Sequence, residues 1–309
     1  MSHRPAVLIM QRHLGPVSPF LESFCTVYRF WEHPPIEAQA DIRALVVAGE
    51  FALDTALVER LPNLELIACF TSGYDGIDVP WCRARGLPVT HAPGVNHEDV
   101  ADHAIGLMLA ARRRIVDGDR AVTGGSWQLD DRLMTPSLRG QRLGIVGLGA
   151  IGEAVARRAE PFGLSIRWWG PRDKPAPWPR ADSLLDLARE SDILIVACRA
   201  DETNRRQISR DIIEALGPDG LLINIARGQL VDEDALIAAL KDSRLGQAAL
   251  DVFETEPTDP DRWAGVPNVV LTPHTAGATT AAVQGMLMLL VQNLQAQFAG
   301  EPLKTPVLD

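Results

Sequence analysis

The stretch RLGIVGLGAIGEAVARRA, residues 142–159, runs an apolar strand straight into a glycine-rich turn and then into a helix-forming segment. Within it GLGAIG, from Gly147 to Gly152, matches G-x-G-x-x-G. Gly147 allows the tight turn, Gly149 lets backbone approach a pyrophosphate, and Gly152 lets the helix pack on the strand, with Ala150 and Ile151 in its first turn. This order of elements predicts a dinucleotide-binding unit, and the remaining sequence has to be built around it.

The flanking sequence continues the strand-helix alternation of a doubly wound α/β domain. After the glycine turn come SIRWW, DILIVAC, GLLINIA, GQAALDVF and NVVLTPH, separated by helical stretches over 151–162, from Ser183, near 212–216 and over 232–241. Before it, AVLIM, ALVVAG, LELIACF and LPVTHAP alternate with polar segments, which predicts a second parallel sheet. A helix from about Asp99, apolar at Val100, Ala104, Leu107, Met108 and Ala111, forms a spine between them, with Arg112, Arg113 and Arg114 marking its exposed side. A last helix over about 279–298 is long enough to return to the first domain. The expectation is a discontinuous first domain, residues 1–98 with 284–309, and a Rossmann domain over 99–283.

A chain of 309 residues has room for two such cores, and 46% hydrophobic against 23% charged residues is the balance of a globular protein. The formal net charge of -10 argues against nucleic acid or an anionic membrane as partner and favours a small molecule. Cys25, Cys69, Cys82 and Cys198 lie far apart with no CxxC pair, which reads as reduced thiols in a cytoplasmic protein. The apolar run Ala6 to Met10 is too short for a signal-peptide core or a membrane span. No pair of histidines has metal-ligand spacing with a supporting carboxylate, so no metal is expected.

About twenty residues after such a turn, a carboxylate usually receives the ribose 2′-hydroxyl. Here that place holds Gly170. An acid would repel a 2′-phosphate, whereas glycine leaves room for one, and Arg172, Lys174 and Arg199 lie at this strand end and the next. Arginine suits phosphate because it is always charged and bonds two oxygens. The residues point to NADP(H), with NAD(H) as the alternative.

Three later strand ends each carry a chemical group: Arg227 in NIARG, Glu256 in DVFETEP and His274 in TPHTAG. Strand carboxyl ends face the ligand crevice in an open parallel sheet. Reduction of a 2-oxo acid needs a hydride at the carbonyl carbon, a proton for its oxygen and a cation for its carboxylate. Histidine suits the proton transfer, a carboxylate beside it favours the protonated form, and Arg227 holds and polarises the substrate. His91, His97 and His103 read as packing or surface groups.

These residues, with FTSGYDGID, GLPVTHAPGVNHEDVADHAIGLML, LLINIARGQLVDEDALIAAL and NVVLTPHTAG in order, cover most of the chain. It resembles the D-2-hydroxyacid dehydrogenase family, particularly its glyoxylate/hydroxypyruvate and hydroxyphenylpyruvate reductase branch. The resemblance implies a flavodoxin-like substrate domain beside the Rossmann domain, a cleft between them, and a homodimer joined through the spine helix and the loop after it. It further implies that Arg227 binds substrate, that Glu256 pairs with His274, and that His274 is the general acid in reduction and the base in oxidation. Backbone amides at Ser72 and Gly73 would hold the substrate carboxylate, Asp251 would receive the nicotinamide carboxamide, and Ala226 and His274 would border the cofactor. The chain departs from the family at Gly170, at Pro171 where an arginine is common, at Arg199 where a proline is common, and at Asp102 where glutamate is usual.

The expected activity is NADPH-preferring reduction of small 2-oxo acids, glyoxylate and hydroxypyruvate first. The alternatives are an NADH-linked member, a reductase of bulkier aryl 2-oxo acids whose pocket QLDDRLM of a partner subunit closes, and a dinucleotide-sensing, corepressor-like binding protein.

Overall fold

The computed structural model describes residues 4–130 and 134–308. The segment QLDDRLM therefore falls partly outside the described residues, at 131–133. The chain separates into two units, one formed by the chain up to Asn96 together with Thr280 onward, the other by His97–Thr279.

In the first unit, β1 (Ala6–Ile9), β2 (Thr26–Arg29), β3 (Ile42–Val47), β4 (Leu66–Cys69) and β5 (Val89–Thr90) form one sheet in the order β2-β1-β3-β4-β5. All pairings are parallel, and this is the flavodoxin-type order. β1 and β4 are buried along their whole length, as a strand covered on both faces by helices must be. The sequence reading passed over β2. Its TVYR is half-exposed and pairs on one side only, so an edge strand with no apolar run gave no signal. The helix Thr280–Ala299 completes this unit, laying Ala282, Met286, Leu290 and Leu294 against Val7, Ile9, Val46 and Leu66.

The second unit holds β6 (Arg142–Val146), β7 (Ser165–Trp169), β8 (Ile193–Val196), β9 (Leu221–Asn224), β10 (Gln247–Leu250) and β11 (Val269–Leu271). They form a parallel sheet in the order β11-β10-β9-β8-β6-β7. Its order reverses between β6 and β8, the switch point beside which doubly wound folds bind ligands. The strand that a six-stranded dinucleotide fold adds beyond β7 is reduced here to a single parallel bridge, Trp168 with Arg180.

The helix His97–Arg112 packs Ala101, Ala104, Leu107 and Met108 against Leu143, Ile145, Ile223 and Ala249. Its last residue corrects the reading of the three arginines as one exposed face, because Arg112 is only 4% exposed. Its guanidinium donates to the Asp219 carbonyl (2.8 Å) and Gln247 Oε1 (3.2 Å), and also bonds the Asp192 carbonyl. It thus ties together the amino ends of β8, β9 and β10. Among the described residues no helix is long and apolar enough to cross a membrane, and all four cysteines are free.

At the switch point Gly147 has φ +93°, and a Cβ there would stand 2.6 Å from Cys198 Cα. Gly147→Ala is expected to cost about 1–3 kcal/mol through overpacking and a strained φ. Urea unfolding measures it, and an unchanged midpoint would contradict this close approach.

Candidate active site

The glycine turn lies between β6 and the helix Ala150–Ala159. No side chain caps that helix, and its first residues Gly149 and Ala150 are exposed. A Cβ on Gly149 would meet nothing within 4 Å, so the space above it is open. One on Gly152 would come within 2.1 Å of the Gly147 carbonyl, so helix and turn are packed to backbone contact. An open, uncapped helix start over a glycine-rich turn whose one side chain, Leu148, is buried fits a pyrophosphate, which would lie against the amides near Gly149, Ala150 and Ile151.

At the end of β7, Gly170 is buried, and its carbonyl accepts a hydrogen bond from Arg180 Nη2 (2.7 Å). Of the cations singled out in the sequence, Lys174 is neutralised by Glu153 of the glycine-turn helix. Arg172 is exposed, and Arg199 is exposed beside Asp201, whose carboxyl it helps to lower. Arg180, which the sequence reading did not single out, is the cation that meets the strand end.

The histidine-carboxylate pair is assembled in the segments that follow β10 and β11. His274 Nδ1 lies 2.6 Å from Glu256 Oε2, and the other carboxylate oxygen accepts the Phe253 amide (2.9 Å). A carboxylate only accepts, so Nδ1 carries the proton and Nε2 is left for transfer. The hydrogen bond to Glu256 raises the His274 pKa above its ordinary 6.5. Burial opposes the rise, the Glu256 charge adds to it, and nearby Arg227 lowers it. Arg227 follows β9, half-buried, with Nη1 donating to the Ala226 carbonyl (2.7 Å). Gly228 after it admits the backbone of the β10 turn so closely that a Cβ would stand 1.8 Å from the Phe253 carbonyl carbon. That contact brings the Arg227 turn against the arm carrying Glu256.

Asp251 is fully buried and already satisfied from within the protein. It accepts from Thr272 Oγ1 (2.6 Å) and from the amides of Thr275 and Ala276 (2.9 Å each), with His103 Nε2 at 3.4 Å. Burial pushes its carboxyl up, but these bonds outweigh burial and hold it below the ordinary carboxylate range. The structure thus gives Asp251 a duty that sequence reasoning missed, pinning the turn that carries His274. His103, read as a packing or surface group, donates to Thr272 Oγ1 (3.0 Å) and buttresses that turn. A polar residue inside the apolar run VADHAIGLML was the available signal. Glu233 was missed as well: 2% exposed, it accepts the Glu254 amide and Arg262 Nε (3.0 Å), fixing the base of the Glu256 arm.

In the first unit, Ser72 and Gly73 follow β4. The Ser72 hydroxyl donates to the Ala92 carbonyl (2.6 Å), and the Ser72 carbonyl lies 2.9 Å from His91 Nδ1. Among the described residues neither backbone amide of this pair has an acceptor, which suits the capture of a carboxylate.

A dinucleotide turn at the switch point of a parallel sheet, with a histidine-carboxylate pair and an arginine at its strand ends, defines a nicotinamide-linked oxidoreductase. Comparison with known proteins gives the class its family. The sequence model for the NAD binding domain of D-isomer specific 2-hydroxyacid dehydrogenases matches residues 105–276. The chain is 43% identical over 303 residues to hydroxyphenylpyruvate reductase of Plectranthus scutellarioides, covering 95% of this chain and 97% of that one. It has the same identity and coverage with glyoxylate/hydroxypyruvate reductase A of Arabidopsis thaliana. Among solved structures, an NADPH-dependent glyoxylate/hydroxypyruvate reductase from Sinorhizobium meliloti, in complex with NADP and malonate, aligns with a TM-score of 0.92 at 36% identity over 98% of this chain and 97% of that one. The chain belongs to the D-isomer specific 2-hydroxyacid dehydrogenases. It is an enzyme that uses a nicotinamide dinucleotide on 2-oxo and 2-hydroxy acids.

With His274 as the proposed proton donor, the rate of reduction is expected to fall as pH rises through its raised pKa. Glu256→Gln removes the charge that raises this pKa, and the alkaline limb of kcat/KM for reduction is expected to move to lower pH. An unmoved limb would show that another group supplies the proton.

Proposed function

We propose that this chain reduces small 2-oxo acids, with glyoxylate and hydroxypyruvate as first substrates and NADPH preferred over NADH. The observation that carries the reaction is the Glu256-paired His274, with its Nε2 left for transfer and Arg227 close enough to shift its pKa. When bound, the nicotinamide supplies a hydride to the substrate carbonyl carbon. Arg227 holds the substrate carboxylate and polarises the carbonyl oxygen, and the amides of Ser72 and Gly73, free among the described residues, are read as a carboxylate-binding loop. His274 Nε2 protonates the carbonyl oxygen, while Glu256 keeps the imidazolium charged until that proton leaves.

The absence of an acid at Gly170, with arginines at that strand end, supports NADPH. A Cβ at Gly170 would make only an ordinary contact, 3.4 Å from the Trp168 ring, so packing does not impose glycine there. The Sinorhizobium meliloti relative, described as NADPH-dependent, agrees. We further read the protein as a cytoplasmic homodimer. Exposed Ile115, Val122, Trp127, Leu129 and Met134, all in the segment after the helix His97–Arg112, support the dimer. An aryl 2-oxo acid is the second reading, because the hydroxyphenylpyruvate reductase is as similar as the hydroxypyruvate enzyme.

Initial rates with glyoxylate, hydroxypyruvate and 4-hydroxyphenylpyruvate, each with NADPH and NADH, test this. The expected result is higher kcat/KM with NADPH on the two small acids and, for His274→Ala, loss of most turnover with cofactor affinity kept. Preference for NADH contradicts the cofactor reading, preference for the aryl acid the substrate reading. No turnover with any pair would contradict all three acids as substrates.

A further inference from the structure

The Pro-rich segment PRDKPAPWPR, residues 171–180, folds back on the strand it leaves. The Trp168 amide donates to the Pro179 carbonyl (3.1 Å), and the Ala181 amide to the Trp168 carbonyl (2.8 Å). The Trp168 indole donates to the Trp178 carbonyl (3.0 Å), and the Trp178 indole to Glu160 Oε1 (2.9 Å). Pro175, Pro177 and Pro179 fix φ along the return, so the segment loses little further freedom when it meets a ligand. The bridge left in place of a further strand therefore positions one residue, Arg180, beside the end of β7.

Arg180 has an unusual set of partners. Nη2 donates to the Gly170 carbonyl, the guanidinium stands 5.8 Å from the centroid of the Trp168 ring, and Nε is buried with no acceptor. Among the described residues no carboxylate pairs with it, whereas Lys174 in the same segment is neutralised by Glu153. A half-buried guanidinium with an unmet donor and no counter-charge is costly without an anion. It sits at the strand end where a dinucleotide fold reads the ribose 2′-position.

We propose that Arg180 is a specificity-determining residue that receives the 2′-phosphate of NADPH, presented by the folded-back segment rather than by the residues directly after β7. The assignment rests on the NADPH reading above and names the group responsible for it. It also explains the absence of an acid at Gly170: a carboxylate there would pair with Arg180 and cancel the charge the phosphate needs.

Binding of 2′-phospho-ADP-ribose and of ADP-ribose, measured by calorimetry, tests this without turnover. Arg180→Met keeps the aliphatic stem near Trp168, and Arg180→Lys keeps the charge. The expected result is that the wild type favours the phosphorylated fragment, that Arg180→Met weakens that fragment roughly 10- to 100-fold while leaving ADP-ribose unchanged, and that Arg180→Lys falls between. Equal weakening of both fragments would make Arg180 a scaffold for the loop and overturn the assignment. A wild type that favours the phosphorylated fragment, with Arg180→Met unaffected, overturns Arg180 alone. A wild type with no such preference contradicts the NADPH reading and removes the assignment with it.

Discussion

The turn that carries His274 depends on the buried carboxylate of Asp251. A carboxylate withdrawn from water is costly unless donors surround it, and here they come from the turn after β11 and from the helix His97–Arg112. The need to satisfy this charge is what holds the turn in place. The His274 amide donates to the Asp251 carbonyl (2.8 Å), and His274 itself stands at φ +51°, a left-handed conformation rare outside glycine. The His274 side chain thus leaves the sheet from a backbone position that the surrounding hydrogen bonds over-determine.

The Glu256 arm is fixed by an independent set of contacts. Gly228 admits it against the Arg227 turn, and Glu233, held by Arg262, takes up the Glu254 amide. Glu254 also carries Arg205 and Arg206 on its carboxylate. Glu256, His274 and Arg227 therefore rest on backbone packing and charge pairs that belong to one sheet end. Such pre-organisation allows a hydrogen bond of 2.6 Å between His274 and Glu256 to raise the His274 pKa.

Much of this was legible in the sequence. Strands buried on both faces appear as apolar runs, and the candidate site residues follow three of them, in NIARG, DVFETEP and TPHTAG. What was not legible depends on chain return or on hidden pairing. β2 is a polar edge, Arg112 looks like one of three solvated arginines, and Glu233 in VDEDAL reads as an ordinary acid in a first helical turn. Arg180 stands ten positions beyond Gly170, and only the closure of the proline-rich segment brings the two together. Local pattern reports burial and turn chemistry, whereas these residues acquire their roles from partners distant in sequence.

Glu256, by accepting the Nδ1 proton, favours the protonated form of His274. Nuclear magnetic resonance of the histidine-labelled protein, titrated with pH, reads this directly. The expected result is an Nδ1 proton shifted downfield by its carboxylate partner and a titration midpoint for His274 above the ordinary 6.5. A midpoint at or below that value, or an imidazole protonated on Nε2 alone in its neutral form, would contradict it.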